Sequence, residues 1–348
     1  MKISIVILNW NGRHFLEKYL PGVEEHSQLP DTEIIVADNA STDDSVSYLQ
    51  EHHPKVRLAL LDKNYGFAEG YNRALLQADA DYYVLLNSDV EVTAGWLQPM
   101  LDMMRQKENI AGCMPTIRSA ARPEYFEYAG AAGGFIDKYG YVFCRGRLFH
   151  TVEKDCGQYD AEAEVFWVTG ACCMFSAKLF REAGGFDNQF FAHMEEIDLC
   201  WRLKNAGYTF WHTPRSTVLH VGGGTLPQAS PLKTYLNYRN NLLMMYKNLA
   251  PRHRKRILRI RTALDYVSGI HSLLKGDISV LRAVCRAHRS YRKMRRLDLR
   301  QSDLRQIDIG QSDIDSCIYP NSVVYQYFIK GRKRFEELSN ISSISKKS

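Results

Sequence analysis

The first 118 residues alternate between short apolar runs and longer stretches with a helical pattern. The apolar runs occupy 3–8, 33–37, 56–61, 82–87 and 110–114, and the helix-like stretches between them are 13–26, 43–52, 67–79 and 95–107. Uninterrupted apolar strands separated by helices are typical of βαβ units, which form a parallel sheet covered on both faces. This alternation therefore predicts an α/β fold.

The rest of the chain changes pattern twice. Residues 119–168 are rich in Gly, Tyr and Phe, which predicts loops and short strands inserted into the sheet. Residues 169–221 return to compact apolar segments, with a helix predicted over 195–206 that ends at Gly207, and strands at 208–212 and 216–221. From 232 onward the periodicity is helical.

Polar side chains follow four of the predicted strands. They are Asn9 and Asn11 after the first strand, Asp38 after the second, Asn64 after the third, and Asn87, Ser88 and Asp89 after the fourth. Each one alone fits an ordinary turn residue. Because ligands of open parallel sheets bind at the carboxyl ends of the strands, the four ends together favour a site for a large polar ligand.

Several kinds of site are disfavoured by the absence of their motifs. The first strand is not followed by G-x-G-x-x-G, and the chain has no G-x-x-x-x-G-K-[ST] and no H-E-x-x-H. None of the eight cysteines forms a C-x-x-C pair, which indicates reduced thiols and no structural zinc. The apolar N-terminal run is too short for a signal peptide, so we expect a cytoplasmic protein.

Two residues are candidate ligands of a divalent cation. Asp89, with Glu91 two residues on, offers the carboxylate oxygens that hard cations prefer, and such a cation would hold a diphosphate. His220, at the end of a predicted strand and before Gly222, is the second candidate. The alternatives are a surface aspartate and a hydrogen-bonded structural histidine.

The stretch FFAHMEEIDLCWRL places three acids, Glu195, Glu196 and Asp198, at the start of a predicted helix. An acidic first turn that satisfies the helix dipole is one interpretation. The other is an active site, because crowding and apolar neighbours such as Phe190 raise a carboxyl pKa towards that of a general base.

Seven motifs, in this order, resemble those of the family 2 nucleotide-sugar-dependent glycosyltransferases, which have the GT-A fold. They are SIVILNWNG, ADNASTDDS, NYGFAEGYN, LLNSDVEV, VTGACCMFS, GGFDNQFFAHMEEIDLCWRLKNAGY and HVGGGT. The resemblance covers residues 1–247 and is greatest to the branch of bacterial rhamnosyl- and galactofuranosyltransferases of cell-surface polysaccharides. It implies a Rossmann-like, mixed and mostly parallel sheet flanked by helices.

The resemblance also implies roles for matched positions. Asn87-Ser88-Asp89 stands where the family has D-x-D, so Asp89 is the main carboxylate ligand of Mg²⁺ or Mn²⁺ and His220 completes the shell. Glu196 stands at the catalytic base, with Glu195 beside it as the other candidate for that role. Asp198 and Trp201 are expected to contact the acceptor or to have an orienting or structural role. The nucleotide sugar is expected to contact Asn9, Asn11, Asp38, Asn64, Gly66, Asn72, Asn87, Ser88, Asp89 and Arg239.

The C-terminal part, 248–348, is expected to be a basic and mainly helical extension. Residues 252–300 hold 15 Lys and Arg against three Asp, which gives this segment a net charge of +12. The whole chain has a net charge of +6, so the remainder carries −6. Basic amphipathic helices are typical of proteins that bind anionic membrane surfaces. A solvated helix or an oligomer contact is the alternative, and we expect no nucleic-acid partner.

The sequence therefore predicts an inverting glycosyltransferase, peripheral on the inner face of the plasma membrane. It would move a sugar from a UDP- or dTDP-linked donor to a hydroxyl of a glycan or lipid-linked acceptor. The alternative hypothesis is a non-catalytic module that binds nucleotide sugars or, through the basic tail, nucleic acid.

Overall fold

The computed structural model describes residues 1–106, 109–222, 230–301 and 317–341, with side chains described up to 296 in the third range. Gly223 and Gly224 of the HVGGGT motif, and the end of the basic stretch 252–300, therefore lie outside the described side chains. None of the helices in these ranges is long and apolar enough to cross a bilayer.

The N-terminal half follows the predicted alternation. Its elements are β1 (Ile3–Asn9), α1 (Arg13–His26), β2 (Thr32–Asp38), α2 (Ser45–His52), β3 (Arg57–Leu60), α3 (Gly66–Leu75), β4 (Tyr82–Asn87), β5 (Val90–Val92), α4 (Leu97–Gln106) and β6 (Ile110–Ser119). Apolar β-branched residues build β1 and β2, whose buried side chains form the centre of the core. The predicted βαβ units are confirmed.

The second half adds an inserted sheet, further strands and three long helices. Its elements are β7 (Gly134–Ile136), β8 (Val142–Cys144), β9 (Arg147–Leu148), β10 (Thr151–Val152), β11 (Ala163–Val165), β12 (Cys172–Ser176), α5 (Ala177–Glu182), α6 (Glu195–Asn205), β13 (Thr209–His220), α7 (Pro231–Asn248), α8 (Pro251–Leu274) and α9 (Ser279–Gln301). Helix α6 ends at Asn205, one residue before the predicted end, and Gly207 follows with a φ of +89° and donates its N–H to the Lys204 carbonyl at 2.9 Å.

The central sheet has nine strands in the order β11-β13-β6-β12-β4-β1-β2-β3, with β5 paired to β13. Strands β4, β1, β2 and β3 are parallel, and β12 runs antiparallel between β4 and β6. Asn9 pairs with Asp38, and Leu8 with Asn87, so the polar strand ends reach one edge together. Strands β7 to β10 form a separate four-stranded antiparallel sheet.

Two details of the prediction were wrong. The strands predicted at 208–212 and 216–221 are one continuous strand, β13, whose register against β6 shifts between Thr213 and Thr217. Pro214 lies in this irregularity, where its missing N–H interrupts no ladder hydrogen bond. The helical pattern from 232 does not extend to 317–341, where the ordered elements are the short turns Tyr325–Ile329 and Phe335–Glu337.

The segment 317–341 returns to the inserted sheet. The Tyr319 N–H donates to the Ile136 carbonyl at 2.8 Å, and the Val323 N–H donates to the Asp137 carboxylate at 2.9 Å. The rings of Phe335 and Phe135 lie 5.0 Å apart. The chain that follows α9 thus packs on the part N-terminal to 248, and the division at 247 stays a prediction.

Candidate active site

The polar strand ends open into a cavity of about 360 Å³ at the carboxyl edge of the sheet. The loop before α6, the end of β13 and the first turn of α7 close its other sides. Nine residues predicted for the site line it: Asn11, Asn64, Gly66, Asn87, Ser88, Asp89, Glu195, Glu196 and His220. The structure therefore brings the strand-end residues and the glutamate pair, which are far apart in sequence, to one cavity.

Asn39 ties the turn after β3 to the end of β2. Its side-chain nitrogen donates to the Asn64 Oδ1 at 3.2 Å and to the Gly66 carbonyl at 3.0 Å, while its Oδ1 accepts the Tyr65 N–H at 2.9 Å. Gly66 has a φ of +74°, and a Cβ there would lie 2.5 Å from the Phe191 ring. Only glycine fits between this turn and the loop on the far side of the cavity.

Asn9 and Asp38 lie behind the cavity lining and are buried. The Asn9 Nδ2 donates to Asp38 Oδ1 at 3.0 Å and to the Ser41 hydroxyl at 3.2 Å, and Asp38 Oδ2 accepts the Ser41 N–H at 2.9 Å. These bonds fix the loop after β2, and the Ser41 hydroxyl in turn accepts the Asn11 N–H at 2.9 Å. The pair positions the wall that Asn11 forms.

Asp89 and His220 face each other across the end of the sheet. The His220 Nε2 lies 3.1 Å from Asp89 Oδ1, and its Nδ1 lies 3.4 Å from Glu127 Oε2. Burial alone lowers the pKa of His220, but the hydrogen bonds with Asp89 and Glu127 outweigh burial and raise it to about 10. The three groups thus form a compact charged cluster at the cavity floor.

This cluster suits a divalent cation only as part of a shell. Among the described residues, no three His, Cys, Asp or Glu side chains are arranged to hold a metal by themselves. The Asp89 carboxylate matches Mn²⁺ or Mg²⁺, and Mg²⁺ commonly takes one or two carboxylates together with substrate phosphates. Asp89 therefore fits a cation that shares a bound diphosphate, and His220 would join that shell only after its ring loses a proton.

The glutamate pair begins α6, directly after a strained loop. Phe191, His193 and Met194 all have positive φ values, of 65°, 70° and 74°. Such backbone costs energy for residues other than glycine and persists only where the surroundings hold it. As a result, Glu195 and Glu196 are aimed into the cavity.

Helix α7 supplies the contacts that hold this loop. The buried Asn240 side chain donates to the carbonyls of Phe190, Ala192 and His193 at 3.0, 2.8 and 2.7 Å. The guanidinium of Arg239 donates to the Phe190 carbonyl at 2.7 Å. Arg239, expected at the donor phosphates, is instead bonded to the loop and does not line the cavity.

Burial raises the pKa values of both glutamates. Burial, and then the neighbouring Glu196, raise the pKa of Glu195 well above its usual value. Burial also raises the pKa of the half-buried Glu196, to about 7, against backbone hydrogen bonds that include one from Gly170. Each carboxylate has an Oε2 without a hydrogen-bond partner among the residues that the structure describes. Glu196 is therefore poised to exchange a proton near neutral pH.

Three other residues expected at the site lie elsewhere. Asp198 is buried and accepts bonds from Arg202 Nε at 2.8 Å and Asn248 Nδ2 at 2.7 Å. Trp201 is buried in the core, with its ring 5.5 Å from that of Phe166. Neither side chain lines the cavity, so both support α6 from behind.

Asn72 is the third of these residues. Its side chain donates to the Phe186 carbonyl at 2.7 Å and accepts the Phe186 N–H at 2.9 Å. It thereby anchors the chain that leads to the strained loop, and it does not line the cavity.

Three of the polar cavity residues that the sequence did not predict bear on the chemistry of the site. They are Glu127, His193 and Lys233. The pairing of the insert brings Glu127 to the site: its N–H donates to the Ile117 carbonyl at 3.0 Å, on the strand that pairs with the end of β13. Burial lowers the pKa of His193 to about 4, so this imidazole is neutral, and its Nε2 lacks a partner among the described residues.

The order of the strands and the place of the cavity are those of a GT-A transferase. The structure of GalNAc-T7 with UDP, GalNAc and Mn²⁺ is 16% identical, with a TM-score of 0.55 over 70% of this chain and 47% of that one. The Pyrobaculum calidifontis mannosyltransferase PcManGT, with GDP-Man and Mn²⁺, is 15% identical, with a TM-score of 0.51 over 83% of this chain and 86% of that one. S. aureus TarS 1–349 with UDP-GlcNAc is 14% identical, with a TM-score of 0.52 over 82% of this chain and 79% of that one. The predicted GT-A fold is confirmed.

The chain belongs to glycosyl transferase family 2, whose sequence profile matches residues 4–183. It is 27% identical, over 63% of its length, to the N-acetylglucosaminyl-diphospho-decaprenol L-rhamnosyltransferase of Mycobacterium tuberculosis, of which it covers 75%. It is 24% identical over 63% of its length to the rhamnosyltransferase WbbL of Escherichia coli, of which it covers 83%. The chain is thus a nucleotide-sugar-dependent glycosyltransferase, and a non-catalytic module is not favoured.

Proposed function

We propose that this enzyme is an inverting transferase of cell-envelope polysaccharide synthesis that glycosylates a lipid-linked acceptor from a UDP- or dTDP-linked sugar. The observation that carries the proposal is Glu196, a carboxylate with a pKa near 7 that lines the same cavity as the strand-end residues. A relative that acts on an N-acetylglucosaminyl-diphospho-decaprenol supports the acceptor class.

The chemistry is a single displacement at the anomeric carbon. Glu196 accepts the proton of the acceptor hydroxyl as its oxygen forms a bond to that carbon, while the bond from carbon to the diphosphate oxygen breaks. Attack on the face opposite the leaving diphosphate inverts the configuration. Glu195, kept protonated by burial, leaves a single negative charge in the pair and is placed to donate a hydrogen bond to the acceptor.

The donor diphosphate is assigned to the floor of the cavity, near Asp89 and His220. These two residues would hold Mg²⁺ or Mn²⁺ there, and the cation would supply neutralisation of the charge that grows on the leaving diphosphate. The base and ribose are assigned to the side that Asn11 and Asn64 line, with Asp38 behind it as a positioning residue.

The enzyme is proposed to act in the cytoplasm, on the inner face of the plasma membrane, where both nucleotide sugars and a lipid-linked acceptor are accessible. A donor screen tests the proposal: UDP- and dTDP-linked sugars are offered with an N-acetylglucosaminyl diphosphate polyprenol, and products are detected by mass spectrometry. Transfer of one sugar with inverted linkage is the expected result. Donor binding without any transfer to this acceptor would reject the acceptor class.

A further inference from the structure

Helices α8 and α9 form a hairpin whose turn exposes a group of large apolar side chains. Leu274 is 82% exposed and Val267 61%, and Ile270, Leu273 and Ile278 are also exposed. Val267, Ile270 and Leu274 are spaced so that they share one face of α8. We call residues 267–278 the hairpin tip.

Basic residues flank this apolar tip. Lys275 lies in the turn, and Arg282, Arg286 and Arg289 are exposed on α9. In the described side chains of 251–296, Asp277 is the one exposed acid, because Asp265 is buried against Arg261 at 2.7 Å and His288 at 3.1 Å. The hairpin thus presents an apolar end and a cationic stem.

The tip lies level with the end of α7 that borders the active-site cavity. The hydroxyls of Tyr238 on α7 and Ser268 on α8 lie 3.0 Å apart, and the Tyr235 hydroxyl donates to Ser290 on α9 at 3.0 Å. Helices α7 and α9 run parallel, since Leu236 packs with Ala283 and Ala287, and further along both helices the rings of Tyr246 and Tyr291 lie 6.2 Å apart.

The level of the tip follows from these contacts. The stretch from Tyr238 back to Pro231 has as many residues as the stretch from Ser268 on to Lys275. Both stretches are helical, or end in a helical turn, so they span the same distance along the helix axis. The turn of the hairpin is therefore level with the first turn of α7, where Leu232 and Lys233 line the cavity.

We propose that the hairpin tip docks on an anionic lipid bilayer, with its apolar side chains in the headgroup region and its basic stem on anionic lipids. An apolar face bordered by Lys and Arg is the pattern of an interfacial helix. A second copy of the chain would bring two stems of like charge together, and a nucleic acid would gain nothing from the exposed leucines and isoleucine. In this orientation the first turn of α7, which lines the cavity, lies beside the bilayer that holds a lipid-linked acceptor. This last step rests on the proposed function, but the docking itself does not.

Vesicle flotation of the full chain tests the docking. The chain is mixed with phosphatidylcholine vesicles, or with the same vesicles containing about 30% phosphatidylglycerol, at low and high salt. Binding is expected to the anionic vesicles and to weaken as salt increases. The double variant Ile270→Ser/Leu274→Ser is expected to weaken binding by about tenfold or more. Leu76→Ser is the matched control: Leu76 is 80% exposed at the C-terminal cap of α3, and this variant is expected to bind like the parent.

A second variant separates charge from apolar insertion. Arg282→Gln/Arg289→Gln is expected to weaken binding to anionic vesicles about fivefold per charge removed, and to leave the weak binding to neutral vesicles unchanged. Parent binding that is equal on neutral and anionic vesicles, or a loss as large for Leu76→Ser as for the tip variant, would overturn the proposal. The proposal would also be overturned if light scattering showed a dimer that the tip variant converts to a monomer. Displacement of the chain from vesicles by a DNA fragment would overturn it as well.

The two proposals fail separately in these experiments. Sugar transfer in the parent with no vesicle binding would remove the docking surface and leave the proposed function in place. Vesicle binding that depends on the tip, with no transfer to the polyprenol acceptor, would keep the docking surface and reject the proposed function.

Discussion

The side-chain nitrogen of Asn240 donates to the backbone carbonyl of His193 at 2.7 Å, from the middle of α7 to the residue two positions before the glutamate pair. The same nitrogen reaches two more carbonyls of the loop, so one buried amide holds a segment with three residues at positive φ. Helix α7 therefore fixes the direction in which Glu196 enters the cavity.

Asn240→Ala is expected to lower kcat by about a hundredfold with little change in the donor KM, because a small displacement of the base reduces proton transfer more than donor binding. Steady-state kinetics at varied donor concentration measures both constants. Asn237→Ala, on the same helix and outside the contacts to the loop, is the control and should retain the parent kcat. A rise in donor KM alone would place Asn240 in the donor site instead.

The two glutamates are expected to differ strongly when each is changed to glutamine. Glu196→Gln removes the proton acceptor, so transfer should fall by about 10² to 10⁴, while calorimetry still detects donor binding. Glu195 is held protonated by burial, and glutamine resembles that form, so Glu195→Gln should cost less than about tenfold. The opposite ranking would make Glu195 the base.

The pH profile follows from the raised pKa of Glu196. A base must be ionised to act, so kcat/KM should rise about tenfold per pH unit below the pKa of about 7 and level off above it. The stability of the fold depends on pH with the opposite sign. A carboxyl whose pKa is raised in the folded state makes a contribution to folding stability that is lost as pH rises through 7. Residual activity of Glu196→Gln should lack the acid limb. A parent profile that is flat from pH 5 to pH 8 (about three units) would exclude this base.

Removal of divalent cations is expected to suppress transfer. EDTA should abolish turnover, and Mn²⁺ or Mg²⁺ should restore it, because the cluster at the cavity floor completes a metal shell only with a bound diphosphate. Asp89→Asn should raise the Mn²⁺ concentration needed for half activity by about tenfold or more. Calorimetry of Mn²⁺ in the presence of UDP gives a readout independent of turnover. Glu91→Gln, two residues on and exposed, is the control; turnover that survives EDTA would remove Asp89 and His220 from their roles.

The strand-end side of the cavity was predictable because its residues are local to strong periodic signals. Asn11, Asn64 and Asp89 each lie a few residues after an apolar run, and parallel pairing brings such positions to one edge without further information. The glutamate pair was found through its charge density and through the motif that it belongs to.

The remaining parts depend on contacts between distant segments. Glu127 reaches His220 only through the pairing of an insert whose sequence has no clear hydrophobic period. Asn240 gains its role from a loop far earlier in the chain, since His193 lies 47 residues before it. Asp38 lies in a matching motif and Arg239 within the span of the resemblance, but their side chains are bonded to protein groups behind the lining. A motif gives the residue type at a position and not the direction of its side chain.

Asp198 offers the test that separates support from catalysis within one helix. Its carboxylate is buried between Arg202 and Asn248, so Asp198→Ala should lower the free energy of unfolding by about 3 kcal/mol, because it leaves a partly buried guanidinium without its partner. Thermal unfolding measures this loss. The matched control is Glu182→Ala: Glu182 is exposed and lies 3.9 Å from Lys178, so about 0.5 kcal/mol or less is expected. Because Asp198 does not line the cavity, kcat per folded molecule should remain within about threefold of the parent, whereas a stable but inactive variant would place it in the reacting set with Glu196.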